Sequence, residues 1–435
     1  MKRFSAIFFF LTVIFISKDL SAQTSLVNEA GNYALLEPTI SRIVKEIEPS
    51  LIDFRRDLHK YPELSNRESR TSRVVAEKLR SLGFENIRTG VASCGIVAVL
   101  KGGLPGPVVA YRADMDALPI FEANDVAYKS QNQNVMHACG HDVHTTIALG
   151  IAETLSKIKD RIPGTITFLF QPAEEGPPGD EVGGAGLMIK EGALDNPRAQ
   201  AIFGCHVEAE IGVGDVCLLS GPTMASTDDI KIVIHGKNSH GAKPHEGIDA
   251  IVVAANVINA LQTIRSRRVD PREAFVLTLG TIVGGIRSNI IADKVEMQGT
   301  LRVLDEKIQN EAHVMIRKTA EGICSGMDAS CTVLITPDYP ITFNDSKLAS
   351  EALAWLKPII GVEHMVLIKP HTGAEDFSKY QKVIPGLFLF FGVANKSKNI
   401  TSAIHTPTFD VDESCIPAMT RTMSLMLLKF LTTHK

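Results

Sequence analysis

This chain of 435 residues is short of several things, and each shortage removes a class of explanation. It has no long block of lysine or arginine, and its formal net charge is −4. Nucleic-acid binding needs clustered cations to displace counterions, so no nucleic-acid partner is expected and a small molecule is. Cysteine is thinly spread: Cys94, Cys139, Cys205, Cys217, Cys324, Cys331 and Cys415 lie far below the density of a small disulfide scaffold. Their odd number leaves at least one unpaired. Long apolar runs are missing too. The run from Phe4 to Ile16 is about 13 residues, against the roughly 20 that a membrane-spanning helix requires. Internal repeats and low-complexity tracts are absent.

What is present is ordinary globular composition, 45% hydrophobic and 22% charged, in a chain too long for one typical core. Two or three domains are expected. Lys2 and Arg3 precede the apolar run, and Leu20-Ser21-Ala22 follows it before Gln23. That is the order of a secretory signal, so residues 1–22 are expected to be removed and the protein exported, periplasmic or secreted, without stable membrane insertion.

The periodicity predicts helix from Thr39 to His59, with Pro49 breaking it into two pieces, and a second helix from Glu68 to Leu82 that stops at Gly83. Short apolar runs follow at Gly95 to Leu100, Pro107 to Tyr111, Thr165 to Phe170 and Ala199 to Phe203, with a helix from Asp142 to Ile158 among them. Continuous apolar strands interleaved with helices indicate an α/β domain with a mainly parallel sheet. From Met224 to Pro337 the order changes to βαββαβ. This is the pattern of a self-contained α+β, ferredoxin-like unit inserted into the first domain. The expected division is therefore 39–223 with 340–435 as one discontinuous domain, and 224–339 as the insert. A strand at Leu387 to Val393 and a helix from Asp412 to Leu431 close the chain.

Chemistry concentrates in a few short segments. His137-Ala138-Cys139-Gly140-His141-Asp142 sets a thiol and an imidazole two residues apart, just before a helical pattern. Glu174 and Glu175, then Gly204-Cys205-His206 and Ile404-His405-Thr406-Pro407, add carboxylates and imidazoles of the kind a hydrolytic metal centre uses. In open α/β sheets the loops leaving the carboxyl ends of strands form the ligand crevice. Asp114 and Asp116 follow the strand ending at Tyr111, Glu174 and Glu175 the one ending at Phe170, and His206 the one ending at Phe203. Cys139 falls at a helix N-terminus, where the dipole favours a thiolate. Taken singly, a buried Cys or His is more often core than ligand, but four loops on one sheet edge each offering a donor point to a metal site. His137, Asp142, His144 and His371 lie near these motifs as supporting or surface groups.

With those residues in view, the chain resembles the co-catalytic metallopeptidases that include aminoacylases and bacterial carboxypeptidases. Within them it is similar to the amidohydrolase branch of hippurate hydrolases and plant auxin-conjugate (indoleacetyl-amino-acid) hydrolases. The resemblance spans nearly the whole chain after the export signal. It is carried by Arg56-Asp57-Leu58-His59-Lys60-Tyr61-Pro62-Glu63-Leu64-Ser65, Arg112-Ala113-Asp114-Met115-Asp116-Ala117-Leu118-Pro119, the Cys139 segment, and Gln171-Pro172-Ala173-Glu174-Glu175-Gly176. Further matches are Ser239-His240-Gly241, Ser288-Asn289-Ile290, Gly299-Thr300-Leu301-Arg302, Gly373-Ala374-Glu375-Asp376-Phe377 and His405-Thr406-Pro407.

The resemblance implies two divalent metal ions per subunit, Mn2+ or Zn2+ with Ni2+ or Co2+ also suitable, held by Cys139, His141, Glu175, His206 and His405. It implies Glu174 as general base, His240, Asn289 and Arg302 as substrate contacts, and an insert that serves as lid and homodimer interface. The implied activity is hydrolysis of N-acyl amino acids by metal-activated water. A dipeptidase or carboxypeptidase of the same family is the alternative, and a metal-stabilised binding protein without turnover is the alternative from another class. One departure stands out: where the family carries a proline-bearing loop after the His206 position, this chain has Glu208-Ala209-Glu210.

Overall fold

The computed structural model describes residues 33–434, so the expected export signal at 1–22 lies outside the described residues. The chain divides into two compact units, one formed by Leu218 and the residues before it, Lys347–Val366 and Ile384–Lys435, the other by Leu219–Ser346 and Leu367–Val383.

The first unit opens with helices α1 (Tyr33–Lys60) and α2 (Ser69–Ser81) and continues through β1 (Asn86–Val91), β2 (Gly95–Lys101) and β3 (Leu104–Asp114). Then come α3 (His141–Ser156), β4 (Pro163–Gln171), α4 (Gly184–Lys190), β5 (Ala201–Gly212) and β6 (Val216–Cys217). The second unit follows with β7 (Gly221–Met224), β8 (Asp228–His235), α5 (Ala250–Arg267), β9 (Phe275–Gly284), β10 (Lys294–Val303), α6 (Glu306–Gly326), β11 (Ser330–Pro337) and β12 (Thr342–Asn344). After α7 (Ser346–Ile360) and α8 (Phe377–Gln381), the first unit is completed by β13 (Gly386–Ala394) and α9 (Cys415–Thr433).

The sheet of the first unit runs β1-β2-β4-β3-β5-β13-β6. Its middle, β4-β3-β5-β13, is parallel, and the flanking strands pair antiparallel. Parallel strands covered on both faces need continuous apolar sequence. β13, Gly-Leu-Phe-Leu-Phe-Phe-Gly-Val-Ala, is buried along nearly its whole length, as is the second half of β4. α1, α3 and α9 pack on one another. In α3 every residue from His141 to Leu155 is buried, and Gly150 permits this, because a Cβ there would lie 2.8 Å from Thr420 Oγ1 and 2.9 Å from Leu51 Cδ1.

Three sequence expectations change. Pro49 does not break α1, which runs unbroken from Tyr33 to Lys60. Pro removes one hydrogen bond and crowds one carbonyl, but Leu36, Ile40, Ile43, Val44 and Ile47 before it and Leu51 and Leu58 after it all sit in the core. Burial on both sides outweighs the local defect. Secondly, β5 does not end near Phe203 but continues to Gly212, because β13 goes on pairing with it through Phe390 opposite His206 and Gly392 opposite Glu208. Glu208, Ala209 and Glu210 are therefore strand residues rather than a loop. Thirdly, the second unit extends beyond 224–339: it starts at Leu219, reaches Ser346 and takes in 367–383.

In the second unit the antiparallel sheet runs β11-β8-β10-β9. β8 alternates buried and more exposed residues, placing Ile230, Ile232 and Ile234 against α5 and α6. Asp249 caps α5 by accepting from the Ile251 N–H at 3.0 Å, and Asp305 caps α6 by accepting from the Ile308 N–H at 2.9 Å. The Asp249 cap fixes the start of α5 at Ala250.

Candidate metal centre

The strands of the first unit deliver the expected donors to one place. β3 ends at Asp114 with Asp116 just beyond, β4 hands over to residues 172–175, and β5 carries His206 within its length. Cys139 lies in the segment leading into α3, and His405 in the segment between β13 and α9. Cys139 Sγ is 3.3 Å from His206 Nε2 and 3.2 Å from His405 Nε2, and His405 Nε2 is 3.0 Å from Glu175 Oε1. The donor atoms of Cys139, His141 and His206 lie within 4.8 Å of one another, and so do those of Cys139, Glu175 and His405. One sulfur belongs to both groups. Glu174 Oε2 sits 3.9 Å from His141 Nε2.

Left-handed backbone shapes this cluster. Gly140 has φ 87°, Ala173 φ 54° and His405 φ 62°. Gly140 is required for space as well as conformation, since a Cβ would meet Val207 Cγ2 at 2.4 Å. The His405 N–H donates to Ala138 O at 2.7 Å, tying the two donor-bearing segments together.

A layer of acidic side chains beneath the donors fixes their orientation. Asp116 accepts from the Glu174 N–H at 3.1 Å, the Glu175 N–H at 3.0 Å and Ser65 Oγ at 2.7 Å, and lies 3.3 Å from His141 Nδ1. That contact leaves His141 Nε2 facing the cluster. Asp114 accepts from Arg112 at 2.6 Å and lies 2.7 Å from His144 Nδ1, whose Nε2 accepts from the Val207 N–H at 2.9 Å. Both nitrogens of His144 are thus committed, and this buried residue braces the site without lining it. His206 Nδ1 donates to Val207 O at 2.6 Å, which again turns Nε2 toward Cys139.

Burial opposes charge on His141, but Asp114 and Asp116 outweigh it and lift the imidazole to about 10. His206, buried and beside His144, is held well below its ordinary value and stays neutral. The Cys139 thiol is pushed well above its usual range by burial, then by Glu175 and Glu174. In the cation-free site, burial and these carboxylates therefore work against the thiolate that the helix N-terminus is expected to favour, and Gly140 precedes α3 in a left-handed turn. Only an added cation reverses those terms.

Two atoms test whether a cation fits. Among the described residues, His141 Nε2 is buried with no hydrogen-bond partner, and so is Glu175 Oε1, although His405 Nε2 is 3.0 Å away. Buried polar atoms are normally paired. Close approach without hydrogen-bond alignment means these groups converge on a point between them. The donor set of one thiol, three imidazoles and a carboxylate is the set a borderline divalent cation takes.

The structure also reveals a support that sequence reasoning passed over. Arg55, wholly buried on α1, donates to Asp142 at 2.8 Å and to Asp410 at 3.2 Å, while His59 bridges Asp142 at 2.8 Å and Glu122 at 3.2 Å. Burial opposes the ionised Asp142 carboxyl, yet Arg55 and His59 overcome it and hold it far below the carboxylate range. The chain thereby links the residue after His141 to the segment after His405. His137 and Asp142 prove buried, not surface groups.

In the second unit, His240 and Asn289 come together: the Gly241 N–H donates to Asn289 O at 2.8 Å, and His240 bridges Ile290. Arg302 lies toward the other end of β10, eight residues from Lys294, or roughly 27 Å of strand, and donates to Thr372 O at 3.3 Å.

The profile of peptidase family M20/M25/M40 matches residues 110–429. The chain is 41% identical over 389 residues to thermostable carboxypeptidase 2 of Saccharolobus solfataricus, covering 89% of this chain and 97% of that one. It is 38% identical over 375 residues to an N-acetyl-L-cysteine deacetylase of Bacillus subtilis, covering 85% of each. Among solved structures it superposes on Bacillus subtilis YXEP, described as a dinuclear metal-binding peptidase of the M20 family, with a TM-score of 0.78 and 33% identity over 89% of this chain and 99% of that one. Donor geometry, fold and sequence agree, and the chain belongs to peptidase family M20/M25/M40, hydrolases of amide bonds.

Proposed function

We propose that this protein is an amidohydrolase that cleaves N-acyl amino acids at a pair of divalent cations. Cys139, His141 and His206 hold one cation, and Cys139, Glu175 and His405 the other. The observation that carries the reading is the single buried sulfur common to two donor groups, with Glu174 beside them. When bound, the cations make water a stronger acid and polarise the scissile carbonyl. Glu174 takes the proton of the attacking water and delivers it to the departing amine nitrogen, a role worth about 10²- to 10⁴-fold. Asp116 keeps the Glu174 and Glu175 backbone and the His141 ring in register for this.

Arg302 offers a planar fork suited to the substrate carboxylate, and His240 with Asn289, too far along the insert to share that small substrate within one protomer, offers donors for the amide oxygen of a substrate held by the partner of the homodimer. Thiolate and imidazole donors suit Zn2+, and the carboxylate also admits Mn2+, Co2+ or Ni2+. Residues 1–22 direct export to the periplasm or medium. The second unit serves as a lid and as the interface of a homodimer, a reading favoured by its edge strand β9, which leaves Ile282 and Val283 exposed, with Ile286 exposed just beyond its end. The likeness to a carboxypeptidase favours peptides as the second reading.

The test is a panel of hippurate and other N-acyl amino acids beside simple dipeptides, run on metal-loaded protein and on Glu174→Gln. N-acyl amino acids should be the better substrates, and the Gln variant should lose turnover while keeping its metal content. Preference for dipeptides would move the function to the second reading, and a fully active Gln variant would remove Glu174 from its role.

A further inference from the structure

We infer that Glu68 is a positioning residue: its buried carboxylate clamps the left-handed turn at Ala173 and so aims Glu174 and Glu175 at the cation pair. The inference rests on the roles proposed above for those two residues. Glu68 precedes α2, 105 residues before Ala173, and has no solvent exposure. Its Oε1 accepts from the Ala173 N–H at 2.8 Å. Ala173 has φ 54°, a conformation that side-chain-bearing residues hold only when their surroundings enforce it.

The next two amides, of Glu174 and Glu175, donate to the two oxygens of Asp116 at 3.1 and 3.0 Å. Three successive N–H groups are therefore gripped by two buried carboxylates, and Glu68 holds the strained one. Without Glu68 the Ala173 amide would be buried with no acceptor, and the simplest relief is to rotate Ala173 back to negative φ. That rotation swings both glutamates. Stability alone does not account for Glu68, because its Oε2 is buried and makes no well-formed hydrogen bond among the described residues. Glu68 reaches Glu174 and Glu175 through Ala173, so it positions and does not catalyse.

The experiment compares Glu68→Gln, Glu68→Asp and Glu68→Ala in the full metal-loaded protein. Gln keeps an acceptor at the same reach, so kcat should stay within about threefold of the parent. Asp and Ala withdraw it, so kcat should fall about 10- to 100-fold with KM within about twofold. Adding Ala173→Gly to Glu68→Ala should restore about fivefold, because glycine adopts positive φ without strain. A chelator titration supplies a readout independent of turnover: Glu68→Ala should release a cation at a lower chelator concentration than the parent, and Glu68→Gln should not. If Glu68→Ala fails to fold, the contrast between Gln and Asp decides. Equal kcat and equal metal retention in parent and Ala or Asp, or a Gln variant as impaired as they are, would overturn the inference. If the parent cleaves nothing in the panel, the amidohydrolase reading fails instead, and the chelator titration alone decides for or against Glu68.

Discussion

The Glu68 carboxyl illustrates what burial does to one group. Burial, and after it the Asp116 charge, pushes its pKa up from 4.5 to about 7. The folded value lies above the unfolded one, so between them the native state binds more protons than the unfolded chain. Stability then falls as pH rises through that window, and the full loss is present above it. Glu68→Gln removes this titration. In metal-free protein the variant should match the parent near about pH 4 and exceed it near about pH 8 by up to about 3 kcal/mol, read from urea denaturation at both values. A parent and variant whose stabilities differ equally at both pH values would contradict it. Glu68 was invisible in the sequence because its partner is 105 residues away, and Arg55 was hidden likewise, 87 residues from Asp142. Cys139, His141, Glu175, His206 and His405 were legible because their donor types recur in short ordered motifs, although nothing in those motifs states which neighbours raise or lower each pKa.

Among the secondary-structure elements, long periodic segments were read well and boundaries less so. The helix predicted from Glu68 to Leu82 forms over Ser69–Ser81, and the strand predicted at Leu387 to Val393 forms over Gly386–Ala394. What pattern reading missed follows from tertiary pairing: β5 is prolonged by β13, and the short β7 and β12 exist because each gives the other its partner. Pro49 shows the same effect within a helix. β9 carries an element-scale prediction. It is an edge strand with Ile282 55% and Val283 71% exposed, Ile286 just past its end is 82% exposed, and a bare apolar edge invites a second strand. A double Ile282→Lys, Val283→Lys variant should sediment as a monomer where the parent sediments as a dimer, with its thermal unfolding little changed. A parent that is monomeric at micromolar concentration, or a variant that stays dimeric, would remove β9 from the interface.

At the scale of the whole molecule, the order of elements made both units recognisable, one by apolar strands interleaved with helices, the other by βαββαβ. The segment 367–383 escaped because it belongs to the second unit although it follows α7, whose side chains belong to the core of the first. The candidate metal centre lies in the first unit, where a parallel sheet, a left-handed glycine and two buried aspartates bring four donors from distant parts of the chain to one sulfur. Whether that sulfur joins two cations is settled most directly by anomalous diffraction from crystals of metal-loaded protein. Two peaks are predicted, both within bonding reach of Cys139 Sγ, one toward His141 and His206 and the other toward Glu175 and His405. A single peak, or two peaks with Cys139 Sγ out of reach of either, would contradict the account.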